Sequence, residues 1–84
     1  MAGKTTITLP SLGDDGDAVT GGTVAFWLAK PGDALSAGDD LVEINTDKAA
    51  FVVPCPAAGV LLEQLVREDD EVRVGDPLAV LETE

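Results

Sequence analysis

Lys48 is the side chain in this sequence best placed to do chemistry, and what is missing excludes most of the alternatives. There is no histidine and a single cysteine, Cys55. Neither a nucleophile–base–orienter triad nor a histidine/cysteine zinc site can be assembled in the usual way. The sixteen acidic residues would allow a carboxylate pair of the kind that hydrolyses glycosides, but no spacing singles one out. Lys48, by contrast, sits near the centre of a symmetric stretch. Reading residues 41–54 as a hairpin centred on Asp47-Lys48 pairs Thr46 with Ala49, Ile44 with Phe51 and Val42 with Val53. The last two pairs are apolar on both strands, so they share one inward face. A slip of one residue would expose that set, which fixes the register.

Such a hairpin presents one ammonium group at a short, stiff tip, where an enzyme can enclose it and a group attached to it can swing. Asp-Lys is a weak turn dipeptide compared with Asn-Gly, so the turn rests on the flanking symmetry. An ordinary surface lysine remains the more economical reading on spacing alone. A Schiff-base role needs a desolvated amine, which a hairpin tip does not provide.

The elements that hold this tip are strands. Val42, Ile44 and Thr46 alternate with Glu43 and Asn45; Val72-Arg73-Val74 alternates too, and Leu78-Ala79-Val80-Leu81 less cleanly. Turn-formers recur every several residues, at Gly21-Gly22, Pro31-Gly32-Asp33, Gly38-Asp39, Asp69-Asp70 and Gly75-Asp76-Pro77. This punctuation predicts an all-β sandwich or barrel, and no ten-residue segment carries a helical stripe.

An internal repeat sharpens the expectation. Shifting residues 22–47 forward by 37 positions aligns them with residues 59–84. Gly22/Gly59, Leu28/Leu65, Asp33/Asp70, Gly38/Gly75, Asp39/Asp76, Leu41/Leu78 and Thr46/Thr83 are then identical. Two copies of one unit predict two similar sheets related by a pseudo-twofold axis. The counterpart of Lys48 would be position 85, so the hairpin tip and the end of the repeat should lie at opposite ends. Leu9-Pro10 resembles Val53-Pro54 at an offset of 44, which places seven extra residues in a polar loop containing Gly13, Asp14, Asp15, Gly16, Asp17 and Ala18.

Composition narrows the partners. The 84 residues carry five basic and sixteen acidic side chains, for a net charge of −11. A nucleic acid or an anionic membrane would be repelled, whereas a basic protein partner would be attracted. At 45% apolar the chain is expected to fold, and with three aromatic residues its core must be aliphatic. One cysteine excludes an intrachain disulfide. The absence of a signal-length apolar run at the start and of a ~20-residue apolar span fits the cytoplasm.

The run Glu43-Ile44-Asn45-Thr46-Asp47-Lys48-Ala49, followed by Val53-Pro54-Cys55-Pro56-Ala57-Ala58-Gly59-Val60, resembles the lipoyl domain of 2-oxo acid dehydrogenase complexes. Trp27 with Lys30-Pro31-Gly32-Asp33, and Leu9-Pro10-Ser11-Leu12-Gly13, resemble earlier signatures of that family, and the likeness runs from about Thr5 to Glu82. It implies a flattened β-barrel of two four-stranded antiparallel sheets with a quasi-twofold axis. It implies lipoic acid joined to Lys48, with Asp47 and Ala49 as flanking recognition residues. The implied partners are a thiamine-dependent 2-oxo acid decarboxylase, an acyltransferase core, a dihydrolipoyl dehydrogenase, and a lipoate ligase or lipoyl transferase. The loop at residues 12–19 is implied to assist recognition by the decarboxylase. The chain itself is then a non-catalytic, monomeric carrier, cytoplasmic in a bacterium or in the mitochondrial matrix of a eukaryote. It is expected to be one lipoyl domain over residues 1–84, excised from a larger acyltransferase subunit.

Two positions depart from the family pattern. Asn45 stands where Glu is frequent three residues before the lysine, and Val52 where Glu is frequent four residues after it. Cys55 replaces a small residue between two prolines and is read as an apolar filler. The nearest rival is a biotin carrier domain, whose lysine is flanked by methionines; this chain has Asp47 and Ala49 there. A glycine-cleavage carrier would be longer, with added helices. A purely structural β-module with Lys48 unmodified is a further alternative.

Overall fold

The computed structural model describes residues 3–10, 21–46 and 48–83. Among these, every regular element is a strand: β1 (Gly3–Thr8), β2 (Gly21–Trp27), β3 (Ala34–Leu35), β4 (Asp40–Asn45), β5 (Ala50–Pro54), β6 (Gly59–Gln64), β7 (Glu71–Arg73) and β8 (Pro77–Thr83). They form two four-stranded sheets, ordered β1-β8-β6-β3 and β5-β4-β2-β7, in which all pairings are antiparallel. The principal extents of 40 × 24 × 18 Å describe an elongated body.

The duplication is present in three dimensions. A shift of 37 residues carries β2, β3 and β4 onto β6, β7 and β8, and the sheet orders then correspond strand for strand. The turns correspond as well. Asp33 accepts from the Lys30 amide at 2.9 Å and Asp70 from the Arg67 amide at 2.8 Å. Asp39 accepts from the Ser36 amide and Asp76 from the Arg73 amide, both at 2.8 Å. Each aspartate closes its turn by an Asx-type bond, which is why both aspartates recur in the repeat. The two halves also exchange side-chain bonds across the interior. Trp27 Nε1 donates to the Val66 carbonyl at 3.0 Å, and Gln64 Nε2 donates to the Ala29 carbonyl at 2.9 Å. Trp27 and Gln64 occupy equivalent positions, as do Ala29 and Val66, although Trp27 and Gln64 differ in chemistry.

The first strand corrects one expectation. Ladder positions equate Ile7, paired with Ala79, with Val53, paired with Val42. Leu9 and Cys55 follow, because their carbonyls accept from the Gly75 and Gly38 amides and their amides donate to Asp76 and Asp39. The offset here is therefore 46 rather than 44, and Pro10 corresponds to Pro56 rather than Pro54. The added length between Pro10 and Gly22 is nine residues, the difference between 46 and 37, instead of seven. The loop to which it belongs, with Gly13, Asp14, Asp15, Gly16 and Asp17, lies outside the described residues.

β-Bulges explain the imperfect alternation of the sequence. The register shifts between Asp40 and Val42 in β4, and between Ile7 and Thr8 opposite Leu78 in β8. A bulge re-aims the strand, so Leu41 and Val42 both point inward, as do Leu78 and Ala79, and all four are fully buried. With Val24, Ile44, Val53, Leu61 and Leu81 they form one continuous aliphatic core, and no polar or charged side chain among the described residues is buried. Cys55 is part of this core, as its reading as a filler requires. Its thiol donates to the Ala57 carbonyl at 3.0 Å.

Gly22 and Gly59 mark equivalent close approaches of two backbones. A Cβ on Gly22 would lie 2.4 Å from the Asn45 carbonyl oxygen, and one on Gly59 2.2 Å from that of Glu82. Only glycine fits at such a crossing, which is why these residues open the repeat.

Candidate functional site

The β4–β5 hairpin has the register expected of it. Val42 pairs with Val53 and Ile44 with Phe51, and the Thr46 amide donates to the Ala49 carbonyl at 2.9 Å. Val42 and Ile44 are fully buried, Val53 nearly so, and Phe51 packs half-buried against the same core. The hairpin is thus pinned by its apolar face to within a few residues of its tip.

At the tip, Lys48 and Ala49 are exposed. Asp47, the third member of the candidate triplet, lies outside the described residues. The turn owes its shape to Thr46. Its hydroxyl accepts from the Lys48 amide at 3.1 Å and the Ala49 amide at 3.0 Å, and donates to the Ala49 carbonyl at 2.9 Å. A hydroxyl has one donor and two acceptor sites, and all three are used. Asp-Lys thus needs no special turn propensity, because the preceding threonine folds the backbone around itself as an ST-motif. Sequence reading placed Thr46 as a strand-end partner of Ala49 and as one of the repeat identities, without a role in shaping the turn. The available signal was a Thr two residues before the lysine, a spacing at which side-chain-to-backbone bonds form.

At the equivalent position in the other half, Thr83 donates to the Gly3 carbonyl at 3.5 Å. Thr46 and Thr83 thus mark the two ends of the duplicated framework. These ends are opposed: β2 begins beside Asn45, and the chain then reaches Leu35, which pairs with Gly59 next to the Val60–Glu82 pair.

The remaining strand residues place the two departures. Asn45 is exposed at the end of β4, and Val52 is exposed on the outer face of β5. No group of three or more metal-ligating side chains occurs among the described residues. The chemistry such a site supports is acylation of Lys48 Nζ. The ammonium is carried on an exposed turn, held by a threonine two residues away and backed by a packed hairpin. Lipoic acid fits this donor, since an amide to an exposed lysine requires an accessible amine and a turn that an enzyme can enclose.

Comparisons with known proteins bear on this chemistry. Residues 5–81 match the biotin/lipoyl family profile, described as biotin-requiring enzyme. Over 75 residues the chain is 40% identical to the dihydrolipoyllysine-residue acetyltransferase component of the pyruvate dehydrogenase complex of Corynebacterium glutamicum, covering 89% of this chain and 11% of that protein. The chain therefore spans about a ninth of that relative's length. The solution structure of the lipoyl domain of the 2-oxoglutarate dehydrogenase complex from Azotobacter vinelandii superposes with a TM-score of 0.68 at 35% identity, covering 94% of this chain and 95% of that one. A single-chain, multi-domain long-chain acyl-CoA carboxylase superposes with a TM-score of 0.76 at 29% identity, covering 98% of this chain and 7% of that chain.

Proposed function

The chain belongs to the biotin/lipoyl-domain family, and on that premise we propose that it is a lipoyl carrier domain with lipoic acid attached through an amide to Lys48. The observation that carries this reading is the exposed Lys48 turn, held by Thr46 at the end of a packed hairpin. Asp47 and Ala49 flank the lysine as recognition residues for the enzymes that work there. When bound, the lipoyl group supplies a disulfide–dithiol couple that also accepts an acyl group. The protein's part is to hold the attachment point rigid and exposed so that the arm reaches several active sites in turn. Those sites belong to a thiamine-dependent 2-oxo acid decarboxylase, an acyltransferase core and a dihydrolipoyl dehydrogenase, with a lipoate ligase or lipoyl transferase acting beforehand. Residues 12–19 serve as a second contact for the decarboxylase. The chain is one carrier domain of an acyltransferase subunit and does no catalysis itself; its complex works in a bacterial cytoplasm or a mitochondrial matrix.

The structural likeness to the acyl-CoA carboxylase favours a second reading, a biotin carrier. The lysine flanks weigh against it, since Asp47 and Ala49 stand where the biotin carriers have methionine. Incubation with lipoate, ATP and a lipoate–protein ligase, read by intact mass, separates the two. One lipoyl group is expected on the parent and none on Lys48→Arg, which keeps the charge. A lipoylated Lys48→Arg protein would refute the site. A parent that accepts biotin from its ligase but not lipoate would establish the second reading instead.

A further inference from the structure

The outer surface of the Lys48-bearing sheet carries an unusual row of side chains. Register places Phe26 of β2 opposite Glu43 of β4, and Glu43 opposite Val52 of β5. The three lie side by side across the sheet on the face away from the core. Phe26 is 41% exposed and Val52 43%, with the half-buried Glu43 between them.

The other half of the molecule shows what the fold itself asks of these positions. The equivalent row in the second sheet is Glu63, Val80 and Thr6, with Glu63 paired to Val80 and Val80 to Thr6. There the two flanking positions are polar and exposed and the central one is a half-buried valine. The same backbone thus accommodates water-compatible flanks. On the Lys48 sheet the order is inverted, with apolar flanks around a carboxylate. An exposed phenylalanine where the internal copy has glutamate is not a requirement of folding. By contrast, the grooves at the two ends of the molecule are copies of each other, lined by Gly59, Val60 and Leu35 in one and Gly22, Thr23 and Val72 in the other. They follow from the duplication alone.

We propose that Phe26, Glu43 and Val52 form a docking face for the 2-oxo acid decarboxylase that acylates the Lys48 arm. This rests on the carrier reading above. The complementary surface is an apolar depression that receives Phe26 and Val52, with a guanidinium or ammonium beside it that meets Glu43. Charge supports this partner: the domain carries −11, so association with a basic surface is steered, while apolar contacts at the centre of a patch provide most of the affinity. Position supports it too. Val52 is four residues from Lys48, on the order of 14 Å along a strand, so an enzyme enclosing the hairpin tip also covers this row.

The test transplants the internal copy. A triple variant, Phe26→Glu, Glu43→Val and Val52→Thr, puts the second sheet's row on the first. Fully lipoylated parent and variant are assayed with the purified decarboxylase components for pyruvate, 2-oxoglutarate and branched-chain 2-oxo acids. The expected result is a fall of at least tenfold in kcat/KM for reductive acylation with the enzyme that accepts the parent, carried by KM, at unchanged melting temperature and unchanged rate of lipoylation. In Glu43→Gln, which keeps the shape, the salt dependence of kcat/KM should flatten. Equal acylation of parent and triple variant overturns the proposal. So does a parallel fall in lipoylation, which would assign the face to the ligase. Should the triple variant melt early, Phe26→Ala and Val52→Thr tested singly decide, and unchanged KM in both overturns it. A parent that takes up lipoate but is acylated by none of the three enzymes overturns both this proposal and the carrier reading. A parent lipoylated and acylated alongside an indifferent variant overturns this proposal alone.

Discussion

Replacing Thr46 by valine removes the hydroxyl that shapes the Lys48 turn and leaves a side chain of similar size with the same β-branched strand preference. Three hydrogen bonds are lost: those from the Lys48 and Ala49 amides and that to the Ala49 carbonyl. At this exposed site water can replace each partner, so each bond is worth about 0.5 kcal/mol, the low end of the net range. The expected loss of stability is about 1–1.5 kcal/mol. Thr83 occupies the equivalent strand position and donates to the Gly3 carbonyl at 3.5 Å, and Thr83→Val should cost no more than about 0.5 kcal/mol. Urea unfolding at constant m-value measures the difference directly. Amide exchange locates it, because Lys48 and Ala49 should lose protection in Thr46→Val while Ile44 and Val53 keep theirs. Lipoylation should slow several-fold in Thr46→Val and stay unchanged in Thr83→Val, and Thr46→Ser, which retains the hydroxyl, should recover most of the rate. Equal midpoints and equal lipoylation rates for Thr46→Val and Thr83→Val would refute the claim that Thr46 organises the attachment turn.

Three further substitutions test the framework. Ile44→Asp places an unpaired carboxylate at a fully buried position and should cost about 3–5 kcal/mol, a large part of a small domain's stability; an unchanged melting temperature would reject the inward face of the hairpin. Asp69 holds a left-handed backbone with φ of 74°, where its counterpart Gly32 has φ of 96°, so Asp69→Gly should raise stability by about 0.5–1 kcal/mol, read as a higher urea midpoint. Gly22→Ala drives a methyl group to within 2.4 Å of the Asn45 carbonyl and 2.9 Å of Ile44 Cγ2; it should cost about 1–3 kcal/mol and shift the amide resonances of Asn45 and Thr46, whereas shifts confined to β2 would mean that the crossing is looser than drawn.

Much of this fold was legible because its constraints are written in apolar residues and turn aspartates. Ile44/Phe51 and Val42/Val53 are apolar on both strands, so only one register buries them, and that register is observed. Asp33/Asp70 and Asp39/Asp76 recur because each closes a turn with its side chain. What was hidden had one of two causes. Some equivalences involve unlike residues, such as Trp27 and Gln64, which make the same inter-half bond and count as a mismatch when letters are compared. Others are displaced by bulges. An extra residue at Leu41 and Leu78 puts adjacent side chains in the core, and the match of Pro10 with Pro54 was a coincidence of letters two positions from the true partner, Pro56. At the site, Lys48 stood out by the symmetry around it. Thr46 did not, because a hydroxyl that bonds backbone leaves no trace in an apolar pattern.

The duplication supplies a rule for separating fold from function in this chain. Where the two halves agree in chemistry and place, the framework is being maintained: Gly22 with Gly59 at the crossings, Leu41 with Leu78 at the bulges, the paired turn aspartates. Where they share a backbone position but differ in chemistry at the surface, folding cannot be the reason, since the other half folds without the feature. One such difference falls on the Lys48 sheet: the Phe26–Glu43–Val52 row against Glu63–Val80–Thr6. It lies on the β4–β5 hairpin and the strand beside it, which is where the decarboxylase is proposed to dock.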